Sequence, residues 1–174
     1  VEFIVSDAYV SSVADTRNVT VAAVNDTPVV TGPGSAYSAT EDVALNIHGT
    51  GFSVADVDAA AGTLTTTLDV GEGALTVAVG DSGVSISSGN GSGTVVLIGT
   101  LTQIDNLLTG SSTGTISYLN SSDTPSASTT ITVTVNDGSN TGSDPGLTGG
   151  VADEEGSASQ TINVTATNDD PTNA

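Results

Sequence analysis

Twenty carboxylates face a single basic residue, Arg17, so the 174-residue chain carries a formal net charge of −19, with no lysine at all. A polyanion of this kind cannot neutralise phosphates, which excludes nucleic acid and anionic membrane as partners and leaves cations as the natural ones. Without cysteine there is no disulfide framework, thiolate metal site or cysteine nucleophile. No apolar run approaches the ~18–20 residues that span a bilayer, and no signal-peptide pattern is present.

Period-two patterning runs along almost the whole chain. Residues 1–24 contain two apolar alternations, Val1, Phe3, Val5 and then Val19, Val21. Val43, Leu45 and Ile47 alternate with polar partners, after which the phase slips, Phe52 and Val54 falling on even numbers; the slip across Gly49-Thr50-Gly51 predicts a β-bulge. Leu64, Leu68 and Val70, then Leu75, Val77 and Val79, then Val84 and Ile86 continue the pattern. Asn90-Gly91 supplies a hairpin loop with positive φ before Thr94–Ile98. Thr102-Gln103-Ile104-Asp105-Asn106-Leu107-Leu108 breaks it with helical spacing. It predicts a short helix near 102–109, with Thr102 as N-cap, Asp105 as its capping-box partner and Gly110 as stop. Strands resume with Ile131, Val133, Val135 and end with Ile162 and Val164. Such Val/Ile/Thr-rich runs between Gly, Asn, Asp and Ser read as half-buried antiparallel strands.

An internal repeat organises these strands. Val1–Asp7 matches Ile131–Asp137 at an offset of 130 residues, and Asn18–Pro28 matches the stretch ending at Pro171 with Asn25 on Asn168, an offset of 143. The larger second offset places an insertion between the last two strands of the later copy. Residues 1–24 are therefore expected to be the C-terminal hairpin of a preceding repeat, 25–170 one complete repeat, and 171–174 the start of the next linker. An all-β, Ig-like antiparallel sandwich of seven strands with the short helical insert fits this spacing. A barrel is the alternative, but it leaves the Asn-Asp-x-Pro junctions unexplained, where proline ends strand pairing and stiffens the link.

Carboxylates fall at loop ends, not on strand faces. With strands running up and down, Asn25-Asp26, Asp56-Val57-Asp58 and Asn136-Asp137-Gly138, followed by Asp144 and Asp153, gather at one pole. Glu41-Asp42, Asp105 and Asn168-Asp169-Asp170 gather at the other. Like charges brought this close repel unless a cation sits among them. Calcium takes six to eight oxygens in irregular geometry and suits Asp-x-Asp and Asn-Asp; magnesium demands stricter octahedral order. Zinc is disfavoured with no cysteine and one histidine, His48.

Thr40–Leu45, Ser53–Asp58, Val133–Gly138 and the twice-occurring Asn-Asp-x-Pro resemble the cadherin-like, Ig-like tandem repeats of giant bacterial surface adhesins of the RTX type, over nearly all of 25–171. The resemblance implies calcium at the junctions between successive repeats, stiffening a long extracellular stalk at the bacterial cell surface. It places Asp56, Asp58 and Asp137 with Asn25 and Asp26 at the upper junction, and Glu41, Asn168 and Asp169 at the lower. The partners it implies are neighbouring repeats of the same array or filament, and a cell-surface or glycan target elsewhere in the parent protein.

Three other functions were weighed. An enzyme would have to rest on the lone His48 or on a chance pair of carboxylates, with five aromatics to build a cleft and no lysine for a phosphate loop. A sugar-binding adhesive module would use the long loop 138–160. A self-assembling filament would add residues 1–24 to a neighbour's sheet. A Lys-Asn isopeptide cross-link is excluded by the absence of lysine.

Overall fold

The computed structural model describes residues 1–7, 9–59, 61–138 and 154–168. The alternation in the sequence becomes two facing sheets, and the chain from 25 onward is a β-sandwich. The larger sheet has six strands in the order β4 (Tyr37–Thr40), β13 (Glu155–Thr165), β12 (Ser128–Asn136), β7 (Thr63–Val70), β10 (Thr94–Thr100) and β9 (Ser85–Ser88). Against it lie a three-stranded sheet, β5 (Leu45–Asn46), β11 (Thr115–Leu119) and β8 (Ala74–Ala78), and a two-stranded ribbon of β3 (Val29–Thr31) with β6 (Ser53–Ala55). Neighbours pair antiparallel, except β13 with β4, which run parallel. Where the sequence predicts seven strands, the described residues from 25 onward form eleven, several of them only two or three residues long.

One core fills the space between the layers. Leu64, Leu68, Val95, Leu97, Ile131 and Val133 project from the large sheet and Leu75, Ile116 and Tyr118 from the small one, all fully buried. Along β7 and β12 the outward neighbours are mostly threonine (Thr63, Thr65, Thr67, Thr130, Thr132, Thr134), β-branched and polar and suited to a wetted pleat.

The predicted bulge at Gly49–Gly51 is instead a change of partner. β5 pairs with β11 and β6 with β3, so the chain leaves one ribbon for another across this turn. A phase slip in the hydrophobic pattern marks either event, and two- and three-residue strands are too short to separate them. Val43, counted into the strand, is exposed in the turn that follows Asp42.

The helix, α1, spans Leu101–Thr109. Its N-cap is Thr100, not Thr102: the Gln103 N–H donates to Thr100 Oγ1 and the Thr100 N–H donates to Gln103 Oε1. Thr100-x-x-Gln and Thr102-x-x-Asp both satisfy the capping pattern. The first is the one formed, which takes Leu101 into the helix, and the buried face is Ile104, Leu107 and Leu108. Gly110 closes the helix in the left-handed region, as expected. Asn90-Gly91 does lie in the β9–β10 loop, with Gly91 at φ 83°.

Residues 1–24 form a separate hairpin. β1 (Glu2–Phe3) pairs antiparallel with β2 (Asp15–Thr16), and the Arg17 N–H donates to the Val1 carbonyl at 3.0 Å. Every described residue of this stretch is exposed.

Candidate metal centre

The up-and-down course of the strands gives the sandwich two poles. β6 rises to Asp56 and β12 rises to Asp137, while the chain runs from Asn25 into β3 at the same end. Three loops far apart in sequence therefore meet at the upper pole. Carboxylate oxygens of Asp56, Asp58 and Asp137 lie within 4.8 Å of one another. Asp137 is fully buried, and Asp56 and Asp58 are half-buried.

Local geometry explains the placement. The Asp58 and Ala59 N–H groups both donate to Asp56 Oδ1 at 3.0 Å, an Asx turn that folds the Asp-x-Asp segment back on itself. Asn25 Nδ2 donates to Asp137 Oδ2 at 2.8 Å, and the Asp26 N–H donates to Asp58 Oδ2 at 3.2 Å. The linker is thereby stitched to both loops. Asp56 Oδ2 and Asn25 Oδ1 are buried here without a hydrogen-bond partner, the latter on a side chain only 4% exposed. Burial pushes the Asp56 carboxyl above its ordinary value, and the neighbouring Asp58 carboxylate pushes in the same direction.

Clustered carboxylates plus a buried amide oxygen with nothing to accept make a deficit of positive charge. An ion that takes only oxygen ligands corrects both at once. The triad can hold a metal ion. Beside it a cavity of about 420 Å³, lined by Asp26, Thr27, Val29, Ala55, Asp56 and Val57, leaves room for water or further ligands. Asp26 stands outside the triad and contributes its backbone N–H.

The lower pole differs. Glu41, at the end of β4, is 1% exposed; its Oε2 accepts from the Thr167 N–H at 2.7 Å and from Thr167 Oγ1 at 3.4 Å, while Oε1 is buried and unpartnered. Asn168 is exposed beside Thr167, and Asp169 lies outside the described residues, as do Asp144, Asp153 and Asp170. The polar constellation that closes this pole was not expected: Glu72, in the β7–β8 turn, accepts from Asn120 Nδ2 at 3.1 Å and from the Ser126 N–H at 3.2 Å. These bonds hold its carboxyl below the ordinary value. Gly71-Glu72-Gly73 reads in sequence as a solvated turn, and its partner Asn120 is 48 residues away.

Asp105 does not reach the lower pole. α1 leaves from the upper end of β10, and Asp105 Oδ1 accepts from the Val54 N–H at 3.0 Å, tying the helix to β6. Glu155, expected within the long loop, opens β13, where its Oε1 accepts from Asn136 Nδ2 at 3.2 Å.

No protein-family model matches the chain, and no curated protein matches it. Among solved structures the chain is similar to a type I cohesin–dockerin complex of Clostridium thermocellum. The match has 11% identity over 86% of this chain and 100% of that one, at a TM-score of 0.40.

Proposed function

We propose that the chain is a calcium-binding structural extender repeat of a long extracellular bacterial adhesin or surface filament, non-enzymatic, and stiffened by calcium where successive repeats meet. One observation carries the calcium assignment. Asp56, Asp58 and Asp137 converge within 4.8 Å, and the buried, unpartnered Oδ1 of Asn25 lies in the same cluster. Hard oxygen donors, two of them drawn from a flexible Asx loop, fit calcium better than magnesium or zinc.

The junction follows from the linker. At the 143-residue offset Thr167-Asn168 is the counterpart of Val24-Asn25. The Thr167 N–H feeds Glu41 at the lower pole, and Asn25 feeds Asp137 at the upper one. Consecutive linker positions thus touch the bottom of one repeat and the top of the next. A cation there crosslinks both. Among the described residues, His48 Nε2 is buried without a hydrogen-bond partner. Among the described residues no helix is long and apolar enough to cross a membrane.

Thermal unfolding of the chain in millimolar calcium and in chelator tests the reading. Extracellular modules bind calcium with dissociation constants of about 10⁻⁴–10⁻³ M. Free calcium tenfold above that constant adds roughly 1.4 kcal/mol per site, which is about 3–6 °C for a chain of this size. Identical melting curves in the two buffers would falsify the metal assignment.

A further inference from the structure

We propose that the N-terminal hairpin is a preformed β12–β13 unit, whose binding partner is the body of a like repeat lying N-terminal to it in the same polypeptide. This rests on the repeat reading above and names the surface by which one repeat ends. The offset of 130 rests on the shared apolar alternation ending in Asp7 and Asp137, and that of 143 on the match beginning at Asn18, carried back along the strand to residues 15–17; neither says how the strands pair. Applied to β12–β13, they convert Thr132↔Ser159 into Glu2↔Thr16 and Val133↔Ala158 into Phe3↔Asp15, which are the pairs the hairpin forms. They also convert Ile131↔Gln160 into Val1↔Arg17, which are hydrogen-bonded. A hairpin register is fixed by side-chain phase and turn length, and the turns differ in length here. The three pairs express one register, shared at the open end of the hairpin and slipping by one residue toward the turn, where Ser6 bridges Ser11 and not Ser12. A register shared at the open end is what a shared partner surface requires.

The faces agree as well. Ile131, Val133, Val135, Ile162 and Val164 are the core-facing residues of β12 and β13, each 8% exposed or less. Their counterparts Val1, Phe3, Val5, Val19 and Val21 are 63–85% exposed. In the intact repeat this stripe is covered by β7 on one side, β4 on the other and the small sheet above. The surface the hairpin lacks is accordingly one with β4, β7 and β5-β11-β8 equivalents. A second copy of this chain offers no such slot, because its own β12 and β13 fill it over nine paired residues. Two positions depart from the pattern. Gly156, where a Cβ would fall on the Pro28 carbonyl, corresponds to Val13, and half-buried Ala158 corresponds to Asp15.

The test is a composite polypeptide in which residues 25–130 are placed directly before Val1 of the full chain, with Val13→Gly and Asp15→Ala. The hairpin then stands where β12–β13 stand. Amide exchange of residues 1–5 and 19–21 should slow by about 100-fold or more relative to the original chain, with the added segment folded. Phe3→Asp in the composite should abolish that protection, while in the original chain it leaves the protection of residues 25–168 unchanged. Fast hairpin exchange, or an added segment that stays unfolded, overturns the proposal. So does a concentration-dependent dimer of the original chain that Phe3→Asp dissolves, since the partner would then be a second copy. Because the readout is taken in chelator, its failure leaves the calcium response of the repeat standing, and the converse also holds.

Discussion

The two poles of the sandwich solve the same problem in opposite ways. At the lower end the carboxylates are dispersed and lean on N–H groups, Glu72 on Asn120 and Ser126 and one oxygen of Glu41 on Thr167, with Glu41 Oε1 the single buried carboxylate oxygen left over among the described residues there. At the upper end three carboxylates are concentrated, one of them fully buried, and Asn25 and Asp56 each keep a buried oxygen without a partner. A chain of charge −19 gains nothing from packing like charges together unless something cationic joins them. Neutralisation by hydrogen bonds is complete within one molecule. Neutralisation by an ion makes stability conditional on the medium.

The largest expected effect separates the poles directly. Asp56→Ala with Asp58→Ala should remove the calcium-dependent rise in melting temperature, several degrees or more. In chelator the same double variant should lose far less, since the repulsion it relieves offsets the Asx turn it breaks. Calorimetry in both buffers decides it. A double variant that still gains as much from calcium as the parent places the ion elsewhere.

A subtler substitution should reverse sign between buffers. Asp56→Asn keeps an oxygen to accept from the Asp58 and Ala59 N–H groups but removes the charge. In calcium it should lower the melting temperature by weakening the site. In chelator it should raise it, because the folded-state carboxyl titrates above its ordinary value. With the folded pKa raised, ionisation disfavours the folded state. The apo protein therefore loses stability as pH rises from the ordinary Asp value of 3.8 through the raised one. The advantage of Asp56→Asn in chelator should accordingly be absent at pH 3 and present at pH 7. An advantage that is flat with pH would remove desolvation as the cause.

Much of this contrast was legible in the sequence, and the rest failed for identifiable reasons. Asp-x-Asp, Asn-Asp-Gly and Asn-Asp-x-Pro each carry their loop geometry locally, so Asp56, Asp58, Asp137 and Asn25 were found where they meet. The strands β7, β10 and β12 bury alternate residues over 7–9 positions, and period two identifies them unaided; β13 buries only Ile162 and Val164, so its first half reads as part of the loop 138–160. β3, β5 and β6 are two or three residues long, which is below any period, so their change of partner at Gly49–Gly51 could not be seen. Asp105 was assigned to the wrong place because its partner, the Val54 N–H, is 51 residues away. Glu72 was missed for the same reason: nothing local in Gly-Glu-Gly points to Asn120. Residues set in a recognisable acidic loop motif are readable from sequence even when their partners are distant, as Asn25 and Asp137 are, and a lone carboxylate in a plain turn is not.

Core chemistry supplies a reference for unpartnered oxygens. Thr66 is fully buried on β7 and its hydroxyl has no hydrogen-bond partner. Unlike Asn25 Oδ1, it lies within a sheet, opposite Val135 and Leu97, and is not a member of the acidic group. Thr66→Val replaces the hydroxyl by a methyl of similar volume and should stabilise the fold by about 1–2 kcal/mol, equally in calcium and in chelator. A gain that appears in only one buffer would mean that the two kinds of buried oxygen are not independent.

The smallest effect belongs to Glu72, and it tests the lower pole on its own terms. Glu72→Gln retains one oxygen to accept from Asn120 or Ser126 but loses the charge that both bonds favour. The folded carboxyl titrates below its ordinary value of 4.5, with the Asn120 and Ser126 bonds as the cause. Its contribution is therefore fully present above 4.5 and disappears as the pH falls through the lowered value. The parent should melt slightly above Glu72→Gln at pH 7, and the two curves should converge near pH 3. Calcium should not alter the gap, because the Glu72 charge is already met by N–H donors. A gap that widens with calcium would show that the lower end holds an ion at Glu72, and the contrast between a hydrogen-bonded pole and an ion-dependent one would collapse.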